Sequence, residues 1–545
     1  MRSAELFVKC LENEGVEYIF GIPGEENLDV MDALLDSTIK FVTVRHEQGA
    51  AFMADVYGRL TGRPGVCLAT LGPGATNLIT GVADANMDLA PIVAIAGQGS
   101  THRLHKESHQ ILDLVSMFTP ISKYSTQILE PEIVPEIVRK AFKVARAEKP
   151  GCSFIDYPEN IAGTEVSADK KPLKVQEPKP PVPPAEKIAQ AAEIIAGAKH
   201  PLLMAGNGVI RSRASHAVQR FAEWLNIPVA TTFMAKGIIP CSHPLSLGAV
   251  GLAANDYVSC GFSRADVVIC VGYDIVEYHP HLWNKNPDLK IIHIDQLAAE
   301  VDENYILETG VVGDINAGLQ RIAEKVPPRG ENWASSLHYT ISQEIKEHAE
   351  DDAFPMKPQK ILWDLRQVLN AEDTVISDVG AHKMWIARMF QAEHPNTCII
   401  SNGFASMGIA LPGAIAAKLA FPQHQVVAVT GDAGFMMNSQ EIETAIRWGL
   451  SFVILIWTDS KYGLIKWHQD KRFGRDSNID FNNPDFVKYA DSFGAKGFRV
   501  ESAEHFIPTM QQALKCGTVA IVDCPVDYSQ NMKLTEKLGE LVCPI

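Results

Sequence analysis

Short, nearly continuous apolar runs alternate along this chain with segments of helical periodicity. The runs are "VCLAT" (66–70), "PIVAIAG" (91–97), "PLLMAG" (201–206), "DVVICVG" (266–272), "KIIHID" (290–295), "QVVAVTGD" (425–432), "FVILIWTD" (452–459) and "VAIVDCP" (519–525). Runs of this length, rich in Val, Ile and Leu, suit parallel strands buried on both faces. Their alternation with helices predicts α/β architecture with right-handed crossovers, hence three doubly wound parallel-sheet domains. The first twenty residues read as an amphipathic helix leading into a strand, without a signal-peptide core. The Pro/Lys-rich stretch 164–186 reads as an extended connector, and 326–358 as a second weak segment. The expected domains are residues 1–165, 187–330 and 355–545.

Composition narrows the partners. The chain of 545 residues is 46% hydrophobic and carries a net charge of −16. That balance argues against nucleic acid and anionic membrane, which need clustered Lys and Arg. An anionic small molecule would need a local device such as a helix start or a bound cation. No apolar stretch approaches the roughly 18 residues of a membrane span. The ten cysteines are scattered and form no CxxC pair, so they read as small buried hydrophobes in a reducing, cytoplasmic setting.

In an α/β sheet, ligands gather at the carboxyl ends of the strands. Near residue 430 an apolar run ends in Gly431, Asp432, Ala433 and Gly434 and turns into a helix; a second run ends at Asp459, 27 positions after Asp432. Two carboxylates at neighbouring strand ends, with a backbone carbonyl, suit Mg²⁺, which completes its octahedron with water and phosphate oxygens. The glycines let the backbone approach a diphosphate, and the helix start offers N–H donors. In the first block, "RHEQGA" places Glu47 at the end of a strand-like run, opening an Ala-rich helix. Alone, a Gly-Asp turn is an ordinary helix cap and Glu47 an ordinary first-turn charge.

Together they resemble the thiamine-diphosphate enzymes, and specifically the acetolactate synthase catalytic subunits. "GIPG" (21–24), "RHEQGA", "GPGATN" (72–77), "GAHKMWIAR" (380–388), "SNGFASMGIALPGAIAA" (401–417) and the metal loop carry the likeness, which spans all three blocks. It implies thiamine diphosphate held through Mg²⁺ by Asp432, Asp459 and the Lys461 carbonyl. It implies cofactor contacts from Ile22, Pro23, Thr70, Asn77, Gly380, His382, Gly403, Met407, Gly431, Ala433, Gly434, Tyr462, Gly463 and Leu464. Met407 would prop the cofactor in its bent form. Glu47 would activate it from an apolar site that raises its pKa. Gln110 and Lys123 match residues at the family's active-site entrance. The implied reaction decarboxylates pyruvate and joins the remaining two-carbon unit to a second 2-oxo acid, giving 2-acetolactate. The implied assembly is a homodimer or homotetramer with active sites between subunits.

The middle block, "DVVICVGYDIVEYHPHLWN" (266–284), lacks the basic-acidic run of flavin-binding members and resembles the catabolic, FAD-free type. FAD thus stays possible but disfavoured. Two departures touch the substrate: "EENLD" follows "GIPG" where catabolic members tend to carry a basic residue, and His468 stands where the family varies between Trp and Gln. The alternatives are another thiamine-diphosphate decarboxylase or carboligase, an FAD-containing acetohydroxyacid synthase, and, remotely, an inactive scaffold subunit.

Overall fold

The computed structural model describes residues 1–176, 179–252 and 256–536. Three six-stranded, wholly parallel sheets follow one another along the chain. The first holds β1 (Tyr18–Gly21), β2 (Lys40–Thr43), β3 (Gly65–Ala69), β4 (Ile92–Gln98), β5 (Tyr124–Gln127) and β6 (Cys152–Pro158), in the order β2-β1-β3-β4-β6-β5. The second holds β7 (Pro201–Ala205), β8 (Val229–Thr231), β9 (Ser246–Ala249), β10 (Val267–Val271), β11 (Lys290–Asp295) and β12 (Thr309–Val312), in the order β12-β11-β10-β7-β8-β9. The third holds β13 (Thr374–Ser377), β14 (Cys398–Ile400), β15 (Val426–Gly431), β16 (Val453–Thr458), β17 (Lys496–Arg499) and β18 (Ala520–Pro525), in the order β14-β13-β15-β16-β18-β17.

The first and third sheets therefore share one winding order, while the middle sheet has the order of dinucleotide-binding folds. The central strands β3, β4, β10, β15 and β16 are buried almost throughout, which is why their sequences show no polar alternation. The two like domains pack through equivalent helices. Helix Glu47–Thr61 lies against helix Ala410–Ala420, and a Cβ at Gly413 would come within 3.0 Å of Val56. One apolar core, including Phe52, Val56, Ala410, Ala414 and Phe435, runs through both domains.

Two expectations change. The weak segment at 326–358 contains helix Ser335–Lys346, and its Leu337 and Ile341 join the core of the middle domain. Its polar sequence hid a one-sided apolar stripe. Among the described residues eight cysteines are free, but Cys260 is disulfide-bonded, a pairing that linear spacing does not reveal.

Candidate active site

Thr70, Glu47 and the "GIPG" turn meet at the carboxyl edge of the first sheet. Glu47 opens its helix, with His46 as the N-cap. Its side chain is only 8% exposed, and it accepts a hydrogen bond from Asn77 Nδ2 at 3.0 Å. Asn77 lies near the start of helix Pro73–Met87. Thr70, just past β3, sits between two acids. Its hydroxyl donates to Glu26 at 2.7 Å, and both its methyl and the Glu47 carboxyl border Gly74. A Cβ at Gly24 would fall 2.4 Å from the Thr70 Cβ, so the Ile22-Pro23-Gly24 turn closes on Thr70 only because that side chain is missing. Gln110 joins this edge, with its Cβ 3.0 Å from where a Gly72 Cβ would stand.

Lys123 does not join it. It precedes β5, at the amino end of a parallel sheet and so opposite Glu47. Its ammonium donates to the carbonyls of Ala147 and Lys149, each at 2.6 Å. Matching a linear segment could not show which end of the sheet the residue occupies.

The third domain presents the acidic pair. Asp432 is 1% exposed at the end of β15. Its Oδ2 accepts from the backbone N–H of Asp459 (3.2 Å) and of Ser460 (2.7 Å), and from Asn483 Nδ2 (2.8 Å). The two acids thus sit side by side at adjacent strand ends. Burial pushes the Asp432 carboxyl above its ordinary range. Burial and then the charge of Asp432 push Asp459 up to about 7. Two carboxyls that oppose each other's ionisation form a site a divalent cation would stabilise. Among the described residues no group of three or more His, Cys, Asp or Glu could hold a metal. Further positions would fall to a carbonyl such as that of Lys461, to water and to phosphate oxygens. The Lys461 ammonium itself is turned to Asp480.

A cradle adjoins the pair. His382 is 3% exposed, burial lowers its pKa to about 3, and its Nε2 has no partner. Its ring lies beside Gly380 and Gly431. Gly463 opens helix Gly463–Phe473, between Tyr462 and Leu464, and a Cβ there would come 3.1 Å from Asp459. A Cβ at Gly434 would crowd Asp378 at 3.0 Å, whereas the Ala433 N–H donates to Asp432. A neutral imidazole with a free nitrogen, beside glycines and a carboxylate pair, suits a metal-bound diphosphate. Gly403 and half-buried Met407 lie on the loop between β14 and helix Ala410–Ala420.

Three residues escaped the sequence reading. Asn483 bonds Asp432 and leaves its Oδ1 buried without a partner; the Asn-Asn-Pro turn was its signal. Buried Glu441 accepts from the Arg45 and His46 N–H groups (3.0 and 3.1 Å) and so holds the start of the Glu47 helix from the third domain. Asp378 takes the N–H groups of Val379 and Gly408, both at 2.7 Å. No local motif marks the last two.

Two like α/β domains, one offering a buried glutamate and the other an acidic pair beside a glycine cradle, define a thiamine-diphosphate type of enzyme. Residues 1–117 match the N-terminal TPP binding domain of thiamine pyrophosphate enzymes, 188–322 their central domain and 378–524 their C-terminal TPP binding domain. The chain belongs to the thiamine pyrophosphate enzyme family, among the acetolactate synthases. It is 38% identical to the acetolactate synthase of Bacillus subtilis, over 99% of this chain and 97% of that one. It is 36% identical to the catabolic acetolactate synthase of Raoultella terrigena (98% and 97% covered). It is also 36% identical to a probable acetolactate synthase large subunit of Methanocaldococcus jannaschii (99% and 94% covered). Among the described residues no helix is long and apolar enough to cross a membrane.

Proposed function

We propose that the protein is an acetolactate synthase of the FAD-free type, using thiamine diphosphate and Mg²⁺. The observation that carries this is the pairing of buried Glu47, held by Asn77, with the Asp432–Asp459 pair of a second domain. Bound thiamine diphosphate supplies an electron sink that lets a 2-oxo acid lose CO₂ and its two-carbon remainder act as a nucleophile. Glu47, its carboxyl oriented by Asn77, would exchange a proton with a ring nitrogen of the bound cofactor. Asp432, Asp459 and the Lys461 carbonyl would hold Mg²⁺, and His382 with the glycines of the cradle would hold the diphosphate. Gln110 borders the approach to Glu47. The net reaction consumes two pyruvates and a proton and yields acetolactate and CO₂.

The middle domain supports a flavin-free reading. In its sheet order a dinucleotide would lie at the switch point between β7 and β10. Glu277 sits there at 5% exposure, and its carboxyl oxygens accept the Asn207 N–H (3.0 Å) and the Thr232 hydroxyl. The turn after β7 has thus spent an N–H that a diphosphate would need on an internal carboxyl group.

The test is to assay purified protein with pyruvate, Mg²⁺ and thiamine diphosphate, following CO₂, identifying the carbon product and recording a visible spectrum. Acetolactate from a colourless protein is expected. Acetaldehyde as the sole product would make it a simple decarboxylase, and a yellow flavin spectrum would overturn the FAD-free assignment.

A further inference from the structure

The loop 401–409, which carries Gly403 and Met407, is gripped from the first domain by two buried carboxylates. Asp84 Oδ1 accepts from the Ser401 hydroxyl at 2.8 Å and from the Ser406 N–H at 3.1 Å. Asp88 accepts from the N–H groups of Asn402 (3.2 and 3.1 Å to its two oxygens) and Gly403. Both aspartates are wholly buried. Arg59 bridges Asp88 to the loop's root, pairing with it at 3.0 Å and donating to the Ile400 carbonyl at 2.7 Å. Gly403 is pressed so close that a Cβ would stand 2.7 Å from the Met87 carbonyl and 2.9 Å from Asp88. The loop's other ties come from the middle and third domains: Asn402 Nδ2 to the Glu277 carbonyl at 2.8 Å, Gly408 N–H to Asp378 at 2.7 Å, and Asn438 Nδ2 to the Gly408 carbonyl at 2.9 Å.

This arrangement is costly as a structural device. Asp88 is the C-cap of helix Pro73–Met87, where the helix dipole disfavours an anion. Asp55, Asp84 and Asp88 crowd around a single buried arginine, and burial holds the Asp55 carboxyl well above its ordinary range, where it donates a hydrogen bond to Asp84. Local rules broken in this way tend to mark function rather than stability. The same helix carries Asn77, which holds Glu47, near its other end. One rigid element thus touches the activating glutamate through its first turns and the Met407 loop through its last.

We propose that Asp84 and Asp88 are positioning residues that lock the 401–409 loop in the conformation that receives the cofactor. The proposal rests on reading Gly403 and Met407 as cofactor-lining. The clamp is made of protein groups alone, so hydrogen exchange can test it in the cofactor-free chain.

The test compares the full-length protein with Asp84→Asn, Asp88→Asn and Ser401→Ala. Ser401→Ala removes one bond to Asp84 without altering charge, and so covers the case in which an aspartate variant fails to fold. Amide exchange of peptide 400–409 is measured without cofactor, and binding of thiamine diphosphate with Mg²⁺ by quenching of tryptophan fluorescence. Exchange at 400–409 should rise at least tenfold in each folded variant, while the 90–98 strand stays at the wild-type rate. The Kd for thiamine diphosphate should weaken about tenfold or more, with KM for pyruvate at saturating cofactor nearly unchanged. Unchanged exchange at 400–409, or a rise spread evenly over all peptides, would overturn the clamp. Raised local exchange with an unchanged Kd would overturn its link to the cofactor. A Glu47→Gln variant that kept full turnover would instead remove the functional reading, leaving the exchange result to stand alone.

Discussion

Glu47 offers the sharpest single-residue test, because its role depends on one proton. Replacing it with Gln keeps the size and the contact with Asn77 but removes the ionisable group. Turnover of pyruvate should fall by about 10²–10⁴-fold, the range of general acid–base assistance, while cofactor binding by fluorescence titration stays near wild type. Normal turnover would remove Glu47 from the mechanism. Glu277 gives a pH test. Burial, then the nearby Asp274 charge, raises its pKa to about 8. The folded state therefore keeps a proton that the unfolded chain releases above about 4.5, and stability drains away as pH rises from there towards 8. Melting of wild type and Glu277→Gln between pH 5 and 8 should show wild type losing ground to the variant with rising pH. A constant difference in Tm would contradict the raised pKa.

At the scale of elements, function depends on strand ends brought together by close packing. The turn after β1 reaches Thr70 because Gly24 has no side chain. Gly24→Ala should cost about 1–3 kcal/mol, as overpacking usually does, and should also weaken thiamine diphosphate binding by moving Thr70. A denaturant midpoint within error of wild type would show that the turn gives way freely. The first and third domains repeat one winding order, yet one ends its strands in Thr70 and Glu47 and the other in Asp432 and Asp459. The frame is shared and the chemistry is divided between strand ends.

At the scale of the molecule, four of the exposed apolar side chains lie on segments of the proposed site. Phe404, Met436, Met437 and Tyr462 are 39–46% exposed, and all flank cofactor segments. Such a grouping suits a surface covered by a second copy. Light scattering should therefore find a homodimer or homotetramer, and a monomeric mass for active protein would exclude sites between subunits. Ligand linkage gives a second measurement. Thiamine diphosphate with Mg²⁺ at a hundred times its Kd should add about 2.7 kcal/mol to stability. A chelator should abolish that gain in Tm if the carboxylate pair binds the diphosphate through the metal.

Much of this was written in local patterns. The buried strands β3, β4, β10, β11, β15, β16 and β18 announce themselves as apolar runs, because parallel strands covered on both faces must be apolar throughout. Glu47, Asn77, Asp432 and Asp459 sit in short motifs that resemble those of the thiamine pyrophosphate enzymes. What depends on the meeting of distant segments had no local signature. Linear likeness put Lys123 beside Gln110, whereas the direction of β5 sends it to the far end of the sheet. Glu441 under the Glu47 helix, Asn483 on Asp432, and Asp84 and Asp88 on the 401–409 loop each join parts of the chain from about 50 to almost 400 positions apart. The sequence by itself determined the α/β class, since strands buried on both faces must be apolar, and its likeness to the thiamine pyrophosphate enzymes gave the cofactor class and the candidate reacting residues. Only the tertiary structure decided which end of a sheet a residue occupies and which buried carboxylate holds which loop. Those are set by strand direction and by the need of each buried polar group for a partner, which the chain meets wherever folding brings one within reach.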